Sequence, residues 1–205
     1  MNIERCIVYD VEIIKNPDEV EGGWDNPEAM GFASAVAYSY EKDQYYFFLH
    51  EKAREEMCDF LHGKIAVTFN GIHFDSRVML GNDRMFFPDG RTAIRGTWWD
   101  NYDILLEYIK TRFAYSNVRD AEVRLGDKAI HDGSFGLDGL AYGTLGLNKT
   151  GHGAMAPDLY SSCLYHDLLS YNLQDVRLTK KLFNFIRRYG FVVDRIGRSI
   201  RIAFQ

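Results

Sequence analysis

Short apolar runs rich in β-forming residues alternate along the chain with segments whose apolar positions recur at helical spacing. The apolar runs predict strands at 6–11, 31–40, 45–49 and 65–69. Helical spacing predicts helices at 50–62, 75–80, 101–113, 137–145 and 165–189. The second and third strands form a hairpin around the polar turn at 41–43. Strands that alternate with helices after a hairpin predict an α/β domain, with a mixed central sheet flanked by helices.

The pattern predicts one domain with a basic extension. Residues 1–190 form the domain, and residues 126–153, which hold eight of the eighteen glycines, are expected to be loop-rich around one short helix. In the tail at 191–205, Ile200, Ile202 and Phe204 alternate with other residues, which predicts a terminal strand or hairpin of the same domain.

Composition narrows the class of protein. With 205 residues, 46% of them hydrophobic, the chain is long enough to bury a full core. Its three cysteines are far apart, which favours neither a disulfide framework nor a cysteine metal site. We expect a reducing, cytoplasmic setting and no membrane association, because no apolar run approaches the roughly 18 residues that span a bilayer.

Carboxylates at three places carry the candidate chemistry. Asp10 and Glu12 come at the end of the first strand, and a separation of two residues puts them on one face of it. Side-by-side carboxylates repel each other unless a cation lies between them, and Mg²⁺ or Mn²⁺ suits such oxygen ligands. A second Asp-x-Glu pair, Asp120 and Glu122, lies in a polar stretch that we expect to be a loop.

The other two places lie on helices. Asn70-x-x-x-Phe74-Asp75 follows the strand at 65–69 and opens a helix. Tyr171 and Asp175 are four residues apart in the last helix, on the same side as its apolar residues, so both are expected to face inward. An inward aspartate is costly unless it is paired or bound to a metal.

These three motifs, in this order, resemble the exonuclease motifs of the DEDD superfamily of 3′–5′ exonucleases. The tyrosine at 171, with Ser170 where the histidine subgroup would have His, resembles the tyrosine (DEDDy) subgroup that contains the proofreading domains of family B DNA polymerases. The segments 136–141 and 145–149 are similar to the region that connects the second and third motifs. The resemblance covers about residues 6–185 and implies a ribonuclease H-like fold.

The resemblance also implies the roles of the site residues. Asp10, Glu12, Asp75 and Asp175 would hold two divalent ions, Mg²⁺ or Mn²⁺, that hydrolyse a phosphodiester bond. Tyr171 would orient the attacking water, since a tyrosine of ordinary pKa near 10 is a poor base at neutral pH. The resemblance implies that Asn70 and Phe74 contact the terminal nucleotides. Lys149, in the loop after the predicted helix at 137–145, is a further candidate for a contact with the phosphate.

The expected function is therefore a 3′–5′ exonuclease acting on single-stranded DNA ends, stand-alone or beside a separate polymerase, helicase or recombination protein. Two alternatives stay open: an exoribonuclease that trims RNA 3′ ends, and a nucleic-acid-binding module whose catalysis has lapsed. Adjacent Trp98 and Trp99 could stack on bases, but a corner of the core is the favoured interpretation.

At first sight the net charge of −5 argues against a nucleic-acid ligand, because proteins that bind nucleic acids tend to be basic. However, four of the negative charges belong to the candidate metal site. The charge is also uneven, since residues 176–205 hold eight lysines and arginines against the single acidic residue Asp194. Arg195, Arg198 and Arg201 in the tail are the basic residues expected to be free to reach a substrate.

Overall fold

The protein is an α/β structure with a mixed sheet between two sets of helices. The computed structural model describes residues 1–81, 85–86, 92–94, 97–125, 134–149 and 155–202. The strands are β1 (Cys6–Ile13), β2 (Phe32–Ser39), β3 (Gln44–Leu49), β4 (Ile65–Thr68), β5 (Met85–Phe86), β6 (Thr92–Ile94), β7 (Thr97–Asp103), β8 (Phe191–Val193) and β9 (Ser199–Arg201). The helices are α1 (Ala53–Leu61), α2 (Asp75–Leu80), α3 (Ile104–Phe113), α4 (Val118–Leu125), α5 (Leu137–Leu145), α6 (Ala156–Ser161) and α7 (Tyr165–Tyr189).

The sheet has the strand order β3-β2-β1-β4-β7, with β1 at its centre. β1 runs antiparallel to β2 and parallel to β4, and β4 runs parallel to β7. The first half of β7 also pairs with β6, which pairs with β5. Because β1 is enclosed by strands on both sides and by helices on both faces, its residues are buried almost throughout.

Alternation along β1 sends its side chains into two separate cores. Ile7, Tyr9 and Val11 pack with α1 and α2, whereas Cys6 and Val8 pack with α3 and α7. Since side chains alternate between the faces of a strand, Asp10 and Glu12 project on the α7 side. The first strand thus carries its carboxylates toward the longest helix of the protein.

α7 covers this face of the sheet along 25 residues, a length of about 37 Å. Its buried side is apolar toward the C-terminal end, with Val176, Leu182 and Ile186, and polar nearer the N-terminal end, with Asn172 and Asp175. The helix ends at Gly190, which adopts a left-handed conformation with a φ of 74°. The predicted helix at 165–189 is confirmed at both ends.

Most predicted elements are confirmed, two predictions are wrong, and one helix was not predicted. The predicted helix at 101–113 begins only at Ile104, because Asn101–Asp103 belong to β7. Asp120 and Glu122 lie in the helix α4 rather than in a loop. The short helix α6 was not predicted from the sequence. Residues 150–154, which lie shortly before it, are outside the described residues.

The tail folds back as the antiparallel hairpin of β8 and β9, up to Ile202, which is buried. Two of its arginines are already engaged: Arg195 forms an ion pair with Asp138, and Arg198 forms one with the buried Asp194. Both arginines therefore have an ion-pair partner within the protein, and their contact with a substrate stays a prediction. No helix within the described ranges is both long enough and apolar enough to cross a bilayer.

Candidate metal centre

Three carboxylates converge where β1 passes beneath α7. Oxygens of Asp10, Glu12 and Asp175 all lie within 4.8 Å of one another. Glu12 is 6% exposed and Asp175 only 3%. The sequence analysis placed these residues on two elements, and the packing of α7 against β1 brings them into one group.

Asp75 lies beside this group, at the first position of α2. Its Oδ1 accepts a hydrogen bond of 2.8 Å from the backbone N–H of Val11, the residue between Asp10 and Glu12. This bond fixes α2 against β1 and holds the Asp75 carboxylate at the edge of the cluster. Asp75 is outside the set of three whose oxygens share the 4.8 Å spacing, but its charge acts on Asp10.

The cluster is electrostatically unfavourable by itself. Burial, followed by the charges of Asp75 and Asp175, raises the pKa of Asp10 well above its usual value. Burial, with the charge of Asp175 next in size, raises the pKa of Glu12 from 4.5 to about 8. Burial raises the pKa of Asp75 from 3.8 to about 7, against the opposing effect of the Val11 hydrogen bond. A bound cation would reverse these shifts, since it favours the ionised carboxylates.

One oxygen of the cluster is conspicuously unsatisfied. Asp175 Oδ1 is buried and has no hydrogen-bond partner among the residues that the structure describes. A buried carboxylate oxygen without a partner is costly, and coordination of a cation is one way to satisfy it. The oxygen donors and the like charges both suit a hard divalent cation.

Lys149 provides a positive charge inside the cluster. Its Nζ lies 2.6 Å from Asp175 Oδ2 and 5.0 Å from the centre of the Tyr171 ring. Burial lowers the pKa of Lys149, but the carboxylates, Asp175 foremost, outweigh burial and raise it overall. The lysine is therefore charged at neutral pH. Its side chain is only 23% exposed, whereas an ordinary surface lysine is largely surrounded by water.

Tyr171 sits one helical turn before Asp175, as the four-residue spacing predicts. Burial, and then the negative charges of Asp175, Glu12 and Asp10, raise the pKa of Tyr171 far above its ordinary value. The hydroxyl thus stays protonated at neutral pH and acts as a donor.

Asn172 belongs to the site and was missed by the sequence analysis. It is fully buried, and its Nδ2 donates to Asp10 Oδ2 at 3.1 Å and to Glu12 Oε1 at 3.4 Å. Asn172 thereby holds the two carboxylates of β1 side by side. Its position three residues before Asp175, on the inward side of the helix, is the signal that could have found it.

Asp103 was also missed, and it shapes the turn that carries the second motif. Its Oδ1 accepts from the backbone N–H groups of Asn70 (3.0 Å) and Leu106 (3.2 Å), and its Oδ2 accepts from that of Ile72 (3.1 Å). It is also the N-cap of α3. As the residue that ends β7, it ties the turn after β4 to the neighbouring strand.

The Asn-Gly pair in this turn has a steric reason. Asn70 has a φ of 67°, which asparagine tolerates better than most residues. A Cβ at Gly71 would lie 2.4 Å from the side chain of Thr68, so only glycine fits there. Phe74 follows as the N-cap residue of α2 and lies half-buried beside Asp75.

Of the two adjacent tryptophans, Trp99 is completely buried and Trp98 is half-buried, both within β7. This placement agrees with a corner of the core rather than with a base-stacking pair. Neither a scan against protein-family models nor a search of curated proteins gives a match to this chain.

Proposed function

We propose that this protein is a metal-dependent 3′–5′ exonuclease with a ribonuclease H-like fold, acting on the 3′ ends of single-stranded DNA. The observation that carries the proposal is the convergence of Asp10, Glu12 and Asp175, with Asp75 alongside, under a helix that also presents Tyr171. A sheet in which β1 lies between an antiparallel β2 and a parallel β4 supports the proposed fold.

The donor set fits two divalent ions such as Mg²⁺ or Mn²⁺. Asp10, Glu12, Asp75 and Asp175 would hold them, and the unpartnered oxygen of Asp175 is suited to this role. When bound, such ions supply an activated water and neutralise the charge that develops on a phosphodiester under attack. The side chains around them would orient the water, hold the carboxylates in place and bind the substrate.

Tyr171 is the residue best placed to orient the attacking water. Because its pKa is raised far above 10, its hydroxyl donates a hydrogen bond and does not act as a base. Its ring lies one helical turn before Asp175 and 5.0 Å from the Lys149 ammonium group. The hydrogen bonds of Asn172 to Asp10 and Glu12 hold these two carboxylates in one arrangement, which limits reorganisation during the reaction.

Lys149 is suited to meet the phosphate. Its ammonium group is already at the cluster, paired with Asp175, and a phosphodiester that enters the site brings a negative charge next to it. Asn70 and Phe74, on the turn that leads into Asp75, are the proposed contacts of the terminal nucleotides. Of these three residues, Lys149 contacts a carboxylate of the cluster directly, and Asn70 and Phe74 lie on the turn between β4 and α2.

The test is degradation of single-stranded DNA and RNA, labelled at the 5′ or the 3′ end, in Mg²⁺, Mn²⁺ or EDTA. A 3′–5′ exonuclease shortens the 5′-labelled strand progressively and releases the 3′ label at once as a mononucleotide. We expect Asp10→Ala to abolish both reactions. Asp120→Ala is the matched control, because it removes an exposed aspartate from the other Asp-x-Glu pair, and it should cleave like the wild type.

Loss of label that EDTA does not affect, or equal loss by the wild type and Asp10→Ala, would overturn the proposal. The RNA arms separate the two substrate classes, since faster shortening of RNA than of DNA would assign the site to an exoribonuclease. Binding of either strand without shortening in any metal would instead favour the lapsed module.

A further inference from the structure

Trp24 is exposed to an extent that folding does not explain. Its residue surface is 57% exposed, whereas Trp99 is fully buried in the core. An exposed indole leaves a large apolar face in water, where it gains nothing for stability. Asp25, the next residue, and Glu21, three residues earlier, are polar and exposed, so the chain around Trp24 supplies no apolar cover for the indole.

The backbone under Trp24 is firmly anchored. The segment 14–31 is closed at its base by backbone hydrogen bonds from Ile14 to Gly31 (3.1 Å) and from Lys15 to Met30 (3.0 Å). Arg77 of α2 donates to the carbonyl oxygen of Asp25 at 2.7 Å and to both carboxylate oxygens of Glu28, at 2.9 and 2.7 Å. The indole is thus displayed from a fixed position relative to α2, the helix that begins with Asp75.

Trp24 also lies against Phe74. The two ring centres are 5.8 Å apart and the ring planes are inclined by 50°. Phe74 immediately precedes Asp75 in the chain, so the aromatic pair stands at the N-terminal end of α2, the end of that helix at which Asp75 meets β1. Tilted contact leaves part of the indole face uncovered, and a planar ring can stack there.

We infer that Trp24 and Phe74 together form a stacking surface for an unpaired nucleobase of the strand whose phosphodiester lies at the carboxylates. The inference rests on the proposed function and extends it, because it names the part of the substrate that is read outside the metal centre. Stacking on an aromatic face tolerates every base, so this surface selects for single-stranded ends and not for a sequence. A base-paired end would have to unstack its terminal base to use it.

The experiment measures the affinity for a short fluorescein-labelled oligothymidylate by fluorescence anisotropy, with Ca²⁺ in place of Mg²⁺ to suppress cleavage. A second oligonucleotide is identical but has an abasic nucleotide at its 3′ end. The proteins are the wild type, Trp24→Ala, Trp24→Phe and the control Tyr189→Ala. Tyr189 is 52% exposed but lies at the far end of α7, about 21 Å along the helix from Asp175.

We expect Trp24→Ala to weaken binding of the complete oligonucleotide by roughly five- to tenfold, as the loss of one base on one ring predicts. Trp24→Phe should recover most of this loss, and Tyr189→Ala should bind like the wild type. With the abasic oligonucleotide, Trp24→Ala and the wild type should differ less than twofold. Thermal unfolding of each variant, expected to match the wild type, verifies that the fold is intact.

Equal losses on both oligonucleotides, or no loss on either, would overturn the inference; the second result is also what a protein-docking role of Trp24 would give. Failure of the proposed function is a different result. If the wild type does not shorten DNA in Mg²⁺, hydrolysis is excluded, while the comparison of the two oligonucleotides still decides whether Trp24 stacks on a base. A wild type that binds neither oligonucleotide would refute both.

Discussion

Replacing Glu12 by glutamine tests whether the acidic cluster is built around a cation. Glutamine keeps the size of the side chain and an oxygen that can accept from Asn172, but it carries no charge. Burial, with the charge of Asp175 next, raises the pKa of Glu12 from 4.5 to about 8, so the metal-free fold disfavours its ionised form. The variant should therefore be more stable than the wild type whenever Glu12 would be ionised and no cation is bound.

The sign and size follow from proton linkage. Below pH 4.5 Glu12 is protonated in both the folded and the unfolded chain, and it contributes no difference. Between pH 4.5 and pH 8, Glu12 is ionised in the unfolded chain but still protonated in the metal-free fold, so the fold loses stability as the pH rises. At about 1.4 kcal/mol per pH unit, the whole shift corresponds to roughly 5 kcal/mol. Neighbouring carboxyl groups can retain the proton instead, so we expect about 2–4 kcal/mol.

Thermal unfolding at pH 4 and pH 8, in EDTA and in excess Mg²⁺ or Mn²⁺, measures the effect. At about 2–4 °C per kcal/mol for a chain of this size, Glu12→Gln should unfold roughly 5–15 °C above the wild type at pH 8 in EDTA. At pH 4 the two should coincide. A cation at a hundred times its dissociation constant should stabilise the wild type by about 3 kcal/mol and the variant by less.

The control is Glu21→Gln, which removes an exposed carboxylate from the loop after β1 and should change neither curve. The reasoning is refuted if Glu12→Gln is less stable than the wild type at pH 8 in EDTA. It is also refuted if both proteins gain equally from the cation, because Glu12 would then not be among its ligands.

Three further substitutions separate the roles around the cluster. Tyr171→Phe should reduce turnover about ten- to a hundredfold and leave the cation-induced rise in Tm unchanged; unaltered single-turnover rates would remove the hydroxyl from the reaction. Lys149→Met breaks a largely buried ion pair and should destabilise the metal-free protein by about 2 kcal/mol. The Lys149 ammonium group competes with a cation for Asp175, so calorimetry should show tighter cation binding by the variant; weaker binding would contradict this competition. Asp103→Ala leaves three backbone N–H groups without their acceptor and should cost about 3 kcal/mol in urea unfolding, against less than 0.5 kcal/mol for the exposed Asp120→Ala.

The parts of the fold that were predicted correctly have strong local signals. β4 and residues 6–9 of β1 are apolar runs, because both faces of these strands are covered. α2 and α7 end at Gly81 and Gly190, which adopt positive φ angles. β7 was missed because Trp98–Asp103 carries polar and aromatic residues without clear alternation. What makes it a strand is its pairing with β4, which no local pattern contains.

The carboxylates of the site were predictable because each motif lies at a defined place on its own element. The residues that arrange them were not. Asn172 reads as one polar position in a helix, and Asp103 as an ordinary N-cap, until β1 and the turn after β4 are placed next to them. Their partners lie 162 and 33 residues away in the chain, so the hydrogen bonds exist only after the sheet has formed.

Part of the negative charge of the chain is concentrated in one buried cluster. Two carboxylates on β1, one on α2 and one on α7 are held within a largely buried site, with Lys149 as the ion-pair partner of Asp175. This arrangement costs stability in the metal-free protein, because burial and then the mutual repulsion of the carboxylates disfavour their ionised forms. The cluster persists because the apolar packing of α7 against β1, through Val176, Leu182 and Ile186, is strong enough to hold it. The core thus stabilises a cluster of like charges that a bound cation would compensate.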